Sequence, residues 1–375
     1  MKWILNGMIE TAPSCEEIYF AYGSNLNLEE LKGACVQAGL FDYAVEQVAA
    51  AWLPDMSLVF DYYSKSRGGG ALNVRTVKGS LVSGYLFRLS PDAWRLIDRK
   101  EGHPHYYRRT PVTVLVEGGK YVSAVTYIVT PERTQGFVPP TQEYLAICED
   151  GRRRLGLETR SLRCASEGQQ AYLLDSLFCY GTLLRGESRF PAIASKGLRC
   201  ALLAETSGRL MDCGTYPGLL TDVENDVPGE FFRSRRISEL LDELDWIEGF
   251  AGFGASDNLF CRTIRPVHVG DGRVRYAWVY LVCDDSYPSL AVQDWRAVRG
   301  TADDARERIL DCHAKASPSL FTRLTERHSC YSAISDEQHT PLDRDLVLEG
   351  MRTGQISERR LAQSSGLWTA GAQGW

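Results

Sequence analysis

Short stretches of apolar, β-branched and aromatic residues, separated by glycines and polar turns, run through most of the chain and predict β-strands. In the first half this pattern predicts strands at residues 18–20, 57–62, 71–74, 81–89, 110–116 and 122–129. In the second half it predicts strands at residues 175–179, 198–205, 229–232, 263–269 and 275–282. The pattern stops after residue 284, so the last part of the chain belongs to neither half.

Apolar residues at helical spacing indicate a smaller number of helices. Ser90 followed by Pro91 has the form of an N-cap with proline at the first helical position, and the helix that begins there reaches Glu101. Residues 238–244 predict a comparable helix that leads to Glu248. Helical patterns also occur at residues 28–32, 141–155 and 302–324. A carboxylate therefore stands at the end of two helices, each time before a glycine.

One pair of signals occurs twice in the same order. A tyrosine-glycine turn follows the first strand of each half, as Tyr22-Gly23-Ser24-Asn25-Leu26 and as Tyr180-Gly181-Thr182-Leu183. Each turn is followed further along the chain by a helix end with the residues Glu-Gly, at Glu101 and at Glu248. Repetition of a whole unit predicts two related domains. We assign residues 1–160 to the first domain, 161–174 to a linker, 175–300 to the second domain and 301–375 to a C-terminal extension.

The two signals suit acid–base chemistry on a small anionic molecule. A glycine turn between a strand and a helix start gathers backbone N–H groups that can hold a carboxylate or an oxyanion, although the same turn also occurs as an ordinary loop. The helices that lead to Glu101 and Glu248 carry large apolar residues, which would partly desolvate both carboxylates. Desolvation raises a carboxyl pKa toward the range of a general base, whereas a glutamate at a helix end is otherwise a solvated charge.

Composition and charge exclude several other classes of function. The 375 residues carry a net charge of −6, which predicts no nucleic-acid partner. The chain has no apolar stretch near the ~20 residues of a membrane span and no signal-peptide core at its start, so we expect a cytoplasmic protein. Its 11 cysteines include no C-x-x-C pair, which favours reduced thiols over a zinc ribbon or a disulfide framework. Histidine spacing and glycine motifs predict no metal and no nucleotide cofactor.

Several ordered motifs resemble the γ-glutamylcyclotransferase family. In the first unit, over roughly residues 17–155, they are the turn at 22–26, the strand at 79–89, the segment 98–102 and the strand entry Tyr107-Arg108-Arg109. The second unit, over roughly residues 175–283, is similar to the γ-glutamylamine branch of the family through the segments 180–183, 216–220, 228–230 and 244–250.

This resemblance implies an α+β fold with two tandem small mixed β-barrels flanked by helices, followed by a helical or irregular C-terminal extension. It implies a small-molecule γ-glutamyl substrate, release of 5-oxoproline, and no cofactor. Glu101 is the first choice for the acid–base residue and Glu248 the second. The implied substrate-binding residues are Tyr22, Gly23, Ser24, Asn25, Leu26 and Tyr107 in the first unit and Tyr180, Gly181, Thr182 and Leu183 in the second.

Some alternatives stay open at this point. Phe260 stands in the second unit where the first has Tyr107, which indicates either a pocket altered for a bulkier amine or a site that has become structural. Tyr22 and Tyr107 are also compatible with core packing. The resemblance implies either an aminoglycoside antibiotic as the leaving amine or, as the alternative, a substrate that is a γ-glutamyl dipeptide or glutathione. A tandem binding protein without catalysis is the remaining alternative, and the oligomeric state is open.

Overall fold

Two closed β-barrels contain most of the strands that the sequence predicts. The computed structural model describes residues 17–40, 44–171, 174–221 and 225–298. Within them the first barrel has the strand order β1-β3-β2-β4-β5 and the second has the order β10-β6-β12-β11-β7. Each barrel closes through one parallel pair, β1 with β5 and β12 with β6, while its other neighbouring strands are antiparallel. The predicted tandem mixed barrels with flanking helices are therefore confirmed.

The first unit contains a long hairpin that the sequence pattern divided into shorter strands. Its elements are β1 (Ile18–Ala21), α1 (Leu28–Gln37), β2 (Val45–Ser64), β3 (Gly69–Leu89), α2 (Pro91–Glu101), β4 (Tyr107–Leu115), β5 (Tyr121–Val129), α3 (Gln142–Arg154) and α4 (Arg160–Ser166). Strands β2 and β3 bend together where Asp55 has a φ of 56° and Gly79 a φ of 77°. The pairing register shifts at that bend, and such a shift interrupts the alternation of apolar residues.

The second unit repeats this order with shorter elements. They are β6 (Ser176–Cys179), α5 (Phe190–Ala194), β7 (Leu198–Ser207), β8 (Arg209–Asp212), β9 (Pro217–Leu220), β10 (Asp226–Ser234), α6 (Ile237–Ile247), β11 (Phe260–Val269), β12 (Arg273–Val282) and α7 (Trp295–Val298). The predicted strands and the helix before Glu248 are all present. The sequence pattern missed the small hairpin β8–β9 and helix α5, because each has only four or five residues.

Both glutamates lie where a helix is terminated by glycine. The Ser90 hydroxyl accepts a hydrogen bond from Ala93 N at 3.2 Å and caps the start of α2, as the sequence predicts. Gly102 adopts the left-handed conformation after Glu101, with a φ of 65°, and ends the helix. Gly249, with a φ of 61°, follows Glu248 at the end of α6 in the same way. These caps fix the direction in which the chain leaves each glutamate.

The regions outside the barrels match the sequence predictions only in part. Residues 161–166 of the stretch that we predicted as a linker belong to α4, whose Leu162 and Ala165 are buried in the core of the first unit. The domain boundaries themselves stay a prediction. The helix predicted at 302–324 and the rest of the C-terminal extension lie outside the described residues. In the described ranges, no helix has both the length and the apolar character of a membrane span.

The prediction that all cysteines are reduced is wrong for one pair. Cys261 at the start of β11 and Cys283 just after β12 form a disulfide, with Cα atoms 5.9 Å apart. The two residues meet because β11 and β12 are paired antiparallel strands, with Phe260 opposite Val282. A cross-strand pair of this kind needs no C-x-x-C spacing, so the cysteine pattern of the sequence contains no sign of it.

A glycine at the same place in each barrel allows the first strand to pack closely against its neighbour. A Cβ on Gly84 would lie 2.3 Å from the carbonyl oxygen of Ala21 and 2.5 Å from the ring of Phe20. A Cβ on Gly229 would lie 2.2 Å from the carbonyl oxygen of Cys179. Only glycine fits at these two positions, because the nearest obstacle is backbone and cannot rotate away.

We therefore expect Gly229→Ala to lower the free energy of unfolding by about 1–3 kcal/mol, the usual cost of forced overpacking. Gly33→Ala is the matched control, since a Cβ at exposed Gly33 in α1 meets nothing within 4 Å. That control should gain up to about 1 kcal/mol from helix propensity. Urea denaturation measures both changes, and an unchanged midpoint for Gly229→Ala would contradict the packing account.

Candidate active site

The first tyrosine-glycine turn connects β1 directly to α1. Residues Ser24–Leu26 form a short 3-10 turn, and Leu26 N donates to Gly23 O at 3.0 Å. The Asn27 side chain then accepts from Glu30 N at 3.2 Å and caps α1. Strand, turn and helix start thus follow one another without an intervening loop, and the turn is held rigidly at the end of the barrel.

Asn25 joins this turn to the distant Glu101. Its Nδ2 donates to Glu101 Oε1 at 2.8 Å and also to the Tyr19 hydroxyl at 2.8 Å, which uses both hydrogens of the amide. Its Oδ1 accepts from Lys100 Nζ at 2.7 Å. Two of the residues predicted from the sequence, 76 positions apart, are therefore in direct contact.

Opposing influences act on the pKa of the Glu101 carboxyl group. Burial raises its pKa above the ordinary value of 4.5, while the positive charge of Lys100, the hydrogen bond from Asn25 and the charge of Arg67 lower it, and the net direction is upward. Lys100 and Arg67 also lie near Glu30, at 3.6 Å and 2.9 Å. A carboxyl with a raised pKa can both accept and return a proton near neutral pH.

The predicted tyrosines of the first unit form the buried wall beside this carboxylate. The Tyr22 hydroxyl donates to Tyr127 O at 2.6 Å, and the Tyr107 hydroxyl donates to Leu72 O at 2.9 Å. Burial raises the pKa of both hydroxyls far above the ordinary value, and nearby groups that include Glu101 add to the shift. Both tyrosines are thus neutral residues that tie strands together next to Glu101.

A second set of residues, for which the sequence motifs predicted no role, holds the end of α2. The Arg109 guanidinium donates to both oxygens of Asp98, at 2.8 Å and 2.6 Å. The Tyr127 hydroxyl donates to Asp98 Oδ1 at 2.7 Å. Asp98 lies one helical turn before Glu101, so this network fixes the catalytic candidate relative to β4 and β5.

The second unit repeats this support residue by residue. The Tyr180 hydroxyl donates to Tyr280 O at 2.7 Å, as Tyr22 does to Tyr127 O. The Tyr280 hydroxyl donates to Asp245 Oδ1 at 2.6 Å, and Arg262 Nε lies 3.4 Å from the same oxygen. The repetition of an aspartate three residues before each glutamate, and of an arginine at the next strand entry, was the sequence signal for this network.

The surroundings of Glu248 differ from those of Glu101. Leu183 and Ile247 occupy the motif positions of Asn25 and Lys100, so the polar contacts made in the first unit have no counterpart there. Glu248 is buried, which raises its pKa, and the positive charge of buried Arg189 opposes the shift. Arg189 Nη1 lies 4.0 Å from Glu248 Oε1.

A small cavity lies between the second turn and Glu248. Its volume is about 30 Å³, and Gly181, Arg189, Tyr216 and Glu248 are among the residues that line it. This is space for about two water molecules. A Cβ on Gly181 would lie 2.6 Å from Pro217, whereas one on Gly23 would meet only Leu72, at 3.7 Å. The first turn is therefore less obstructed at its glycine.

Comparisons with known proteins point to one family for both units. The sequence model of the family described as "Gamma-glutamyl cyclotransferase, AIG2-like" matches residues 19–146 and again residues 177–297. These two segments contain the strands of the first barrel and those of the second. Comparison with curated protein sequences gave no match.

Solved structures are similar at low identity. One described as "Gamma-glutamyl cyclotransferase" is 24% identical over 40% of this chain and 85% of that chain, with a TM-score of 0.34. An uncharacterized protein from Homo sapiens is 24% identical over 37% of this chain and 79% of that chain, with a TM-score of 0.31. The protein YkqA from Bacillus subtilis is 14% identical over 84% of this chain and 99% of that chain, with a TM-score of 0.28.

The charge of Lys100 provides a test of the electrostatics around Glu101. Removing it in Lys100→Met should raise the pKa of Glu101 further, because desolvation would then be less opposed. Lys100→Arg keeps the charge and is the matched control. Carboxyl ¹³C NMR titration of glutamate-labelled protein, with Glu101→Gln to assign the signal, measures the shift. A downward shift in Lys100→Met would contradict this description of the site.

Proposed function

The chain belongs to the Gamma-glutamyl cyclotransferase, AIG2-like family, and from this premise we propose that it releases 5-oxoproline from a γ-glutamyl amide, chiefly at Glu101. The observation that carries the proposal is the contact between Glu101 and Asn25 of the tyrosine-glycine turn, at 2.8 Å. It brings a partly desolvated carboxylate against backbone suited to an anion, which is the pair of groups that the reaction needs.

In the proposed reaction Glu101 transfers one proton. Its carboxylate takes a proton from the neutral α-amino group of the substrate as that nitrogen attacks the γ-carbonyl carbon of the same glutamyl group. The new C–N bond closes a five-membered ring, and negative charge develops on the carbonyl oxygen. Glu101 then gives the proton to the leaving nitrogen as the original amide C–N bond breaks, which yields 5-oxoproline and a free amine.

The rest of the proposed site orients the substrate and stabilises charge. Backbone amides at Gly23 and Ser24 would stabilise the developing oxyanion, and Leu26, Tyr22 and Tyr107 would form the rigid wall on which the glutamyl chain folds. Because both reacting groups belong to one molecule, correct folding of the substrate supplies much of the rate enhancement. The turn of the second unit, Gly181 and Thr182, would serve the same purpose for Glu248.

Two classes of leaving amine are consistent with this proposal, and different charges favour them. The net charge of −6 favours the approach of a polycation, as in the removal of a γ-glutamyl group from an aminoglycoside such as a butirosin intermediate in antibiotic biosynthesis. Close to Glu101, however, Lys100 and Arg67 present positive charge, which suits the carboxylate of a γ-glutamyl dipeptide or of glutathione. Competition between these substrates separates the two classes.

The test is release of 5-oxoproline by the purified protein from γ-glutamyl dipeptides, glutathione and a γ-glutamylated aminoglycoside. Glu101→Gln should remove the larger share of turnover and Glu248→Gln the smaller share. The double variant should lower kcat/KM by about 10²- to 10⁴-fold, the usual contribution of an acid–base residue. Exposed Glu132→Gln is the control and should behave as the unmodified protein.

Two results would contradict the proposal. Formation of no 5-oxoproline from any of these substrates would leave a binding protein as the better account. Full turnover by the double variant would show that the carboxylates have a structural role only.

A further inference from the structure

The aspartates that precede the two glutamates, Asp98 and Asp245, differ in where their positively charged partners come from. In the first unit Arg109 donates to both oxygens of Asp98, so this pair is complete within one barrel. In the second unit the equivalent Arg262 reaches Asp245 only through Nε, at 3.4 Å. The Nη2 group of Arg262 donates instead to Asp55, which lies on β2 of the first unit.

The first unit also supplies a positive charge that compensates the Asp245 carboxylate. Lys78 of β3 pairs with Asp245 Oδ2, and its Nζ also lies 3.9 Å from Asp55 and 3.6 Å from Asp242. Positive and negative groups thus alternate across the boundary, in the order Asp55, Arg262, Asp245 and Lys78. Arg262 is fully buried and Asp245 nearly so, and ion pairs with such little solvent exposure are screened far less than surface pairs.

The bend in the long hairpin brings these charges into place. Gly79 N donates to Asp55 Oδ1 at 2.7 Å, which links the bent parts of the two strands. The same bend rests on α6, the helix that leads to Glu248. A Cβ on Gly79 would lie 3.0 Å from Leu241 of that helix, and the Ser238 hydroxyl donates to Lys78 O at 2.7 Å.

Further contacts fix β11 of the second unit against the same surface. The Tyr121 hydroxyl donates to Arg262 O at 2.7 Å, and the Thr263 hydroxyl donates to Gly119 O at 2.7 Å. The Arg262 guanidinium also lies 5.0 Å from the rings of Phe253 and Trp278. It is therefore held between aromatic rings of its own unit and a carboxylate of the other.

We propose that Lys78 and Asp55 of the first unit are positioning residues for Glu248 and the turn of the second unit. The proposal rests on the proposed function, since it concerns catalysis at the second site. Asp245 lies one helical turn before Glu248, and its partner Tyr280 accepts the hydrogen bond from Tyr180 at the start of the turn. A change at Lys78 therefore reaches both parts of the second site through Asp245.

The first barrel accordingly has two roles. It carries its own candidate site, which needs no charge from the second barrel, and it supplies half of the charges beneath the second site. Without Lys78, the buried Asp245 carboxylate would lose a compensating charge, and its hold on Tyr280 and on the end of α6 would weaken.

The experiment measures the second site alone, in full-length Glu101→Gln protein. There Lys78→Met and Asp55→Asn should each lower 5-oxoproline release by about 10- to 100-fold, mainly through kcat, because a small displacement of a reacting group costs that much. Lys78→Arg keeps the charge and should restore most of the rate. Lys32→Met, at an exposed lysine of α1, is the matched control. In Glu248→Gln protein, which reports the first site, Lys78→Met should change turnover far less.

The possible outcomes separate this inference from the proposed function. Equal losses at both sites, or no rescue by Lys78→Arg, would show a general effect on folding and overturn the inference; urea denaturation of the same variants checks this directly. Absence of turnover in Glu101→Gln protein, with turnover retained in Glu248→Gln protein, would overturn the inference and leave the proposed function in place. Absence of 5-oxoproline from the unmodified protein would overturn both.

Discussion

Both sites depend on the contacts of an aspartate that lies one helical turn before each candidate catalytic glutamate. Asp98 and Asp245 each accept a hydrogen bond from a buried tyrosine of the last barrel strand and face an arginine of the preceding strand. These contacts tie the helix end to the barrel wall at the point where the glutamate emerges. The tyrosine-glycine turn is tied to the same wall, because Tyr22 and Tyr180 donate to the backbone of those tyrosines.

This shared framework lets the two sites differ without loss of their architecture. Around Glu101, polar neighbours and two cations moderate the effect of burial on the carboxyl, and the glycine of the turn is little obstructed. Around Glu248, apolar neighbours and one buried arginine surround the carboxyl, and Pro217 covers the glycine. The difference between Tyr107 and Phe260 belongs to this pattern, since Phe260 packs against Tyr216, with ring centroids 5.9 Å apart. The two units thus share the tyrosine–aspartate–arginine support and differ in the surroundings of the carboxylate.

The sequence predicts the parts of the site that depend on local pattern. Three features could be predicted, because each depends on residues that are consecutive in the sequence. They are the turn at 22–26, the capped helix to Glu101 and the repetition of both. The contacts of Asp98 could not, since its partners are 11 and 29 positions away on other strands. The Cys261–Cys283 disulfide was missed because strand pairing, and not cysteine spacing, brings its halves together. The contacts of Lys78 depend on how one barrel packs against the other, which no local pattern encodes.

The central claim is that the first turn and Glu101 together bind the glutamyl group. A crystal structure of the protein with 5-oxoproline tests it most directly. The account predicts the product between the backbone at Gly23 and Ser24 and the Glu101 carboxylate, with the lactam N–H within about 3 Å of a carboxylate oxygen. Product bound elsewhere, or a Glu101 carboxylate that points away from it, would contradict the account.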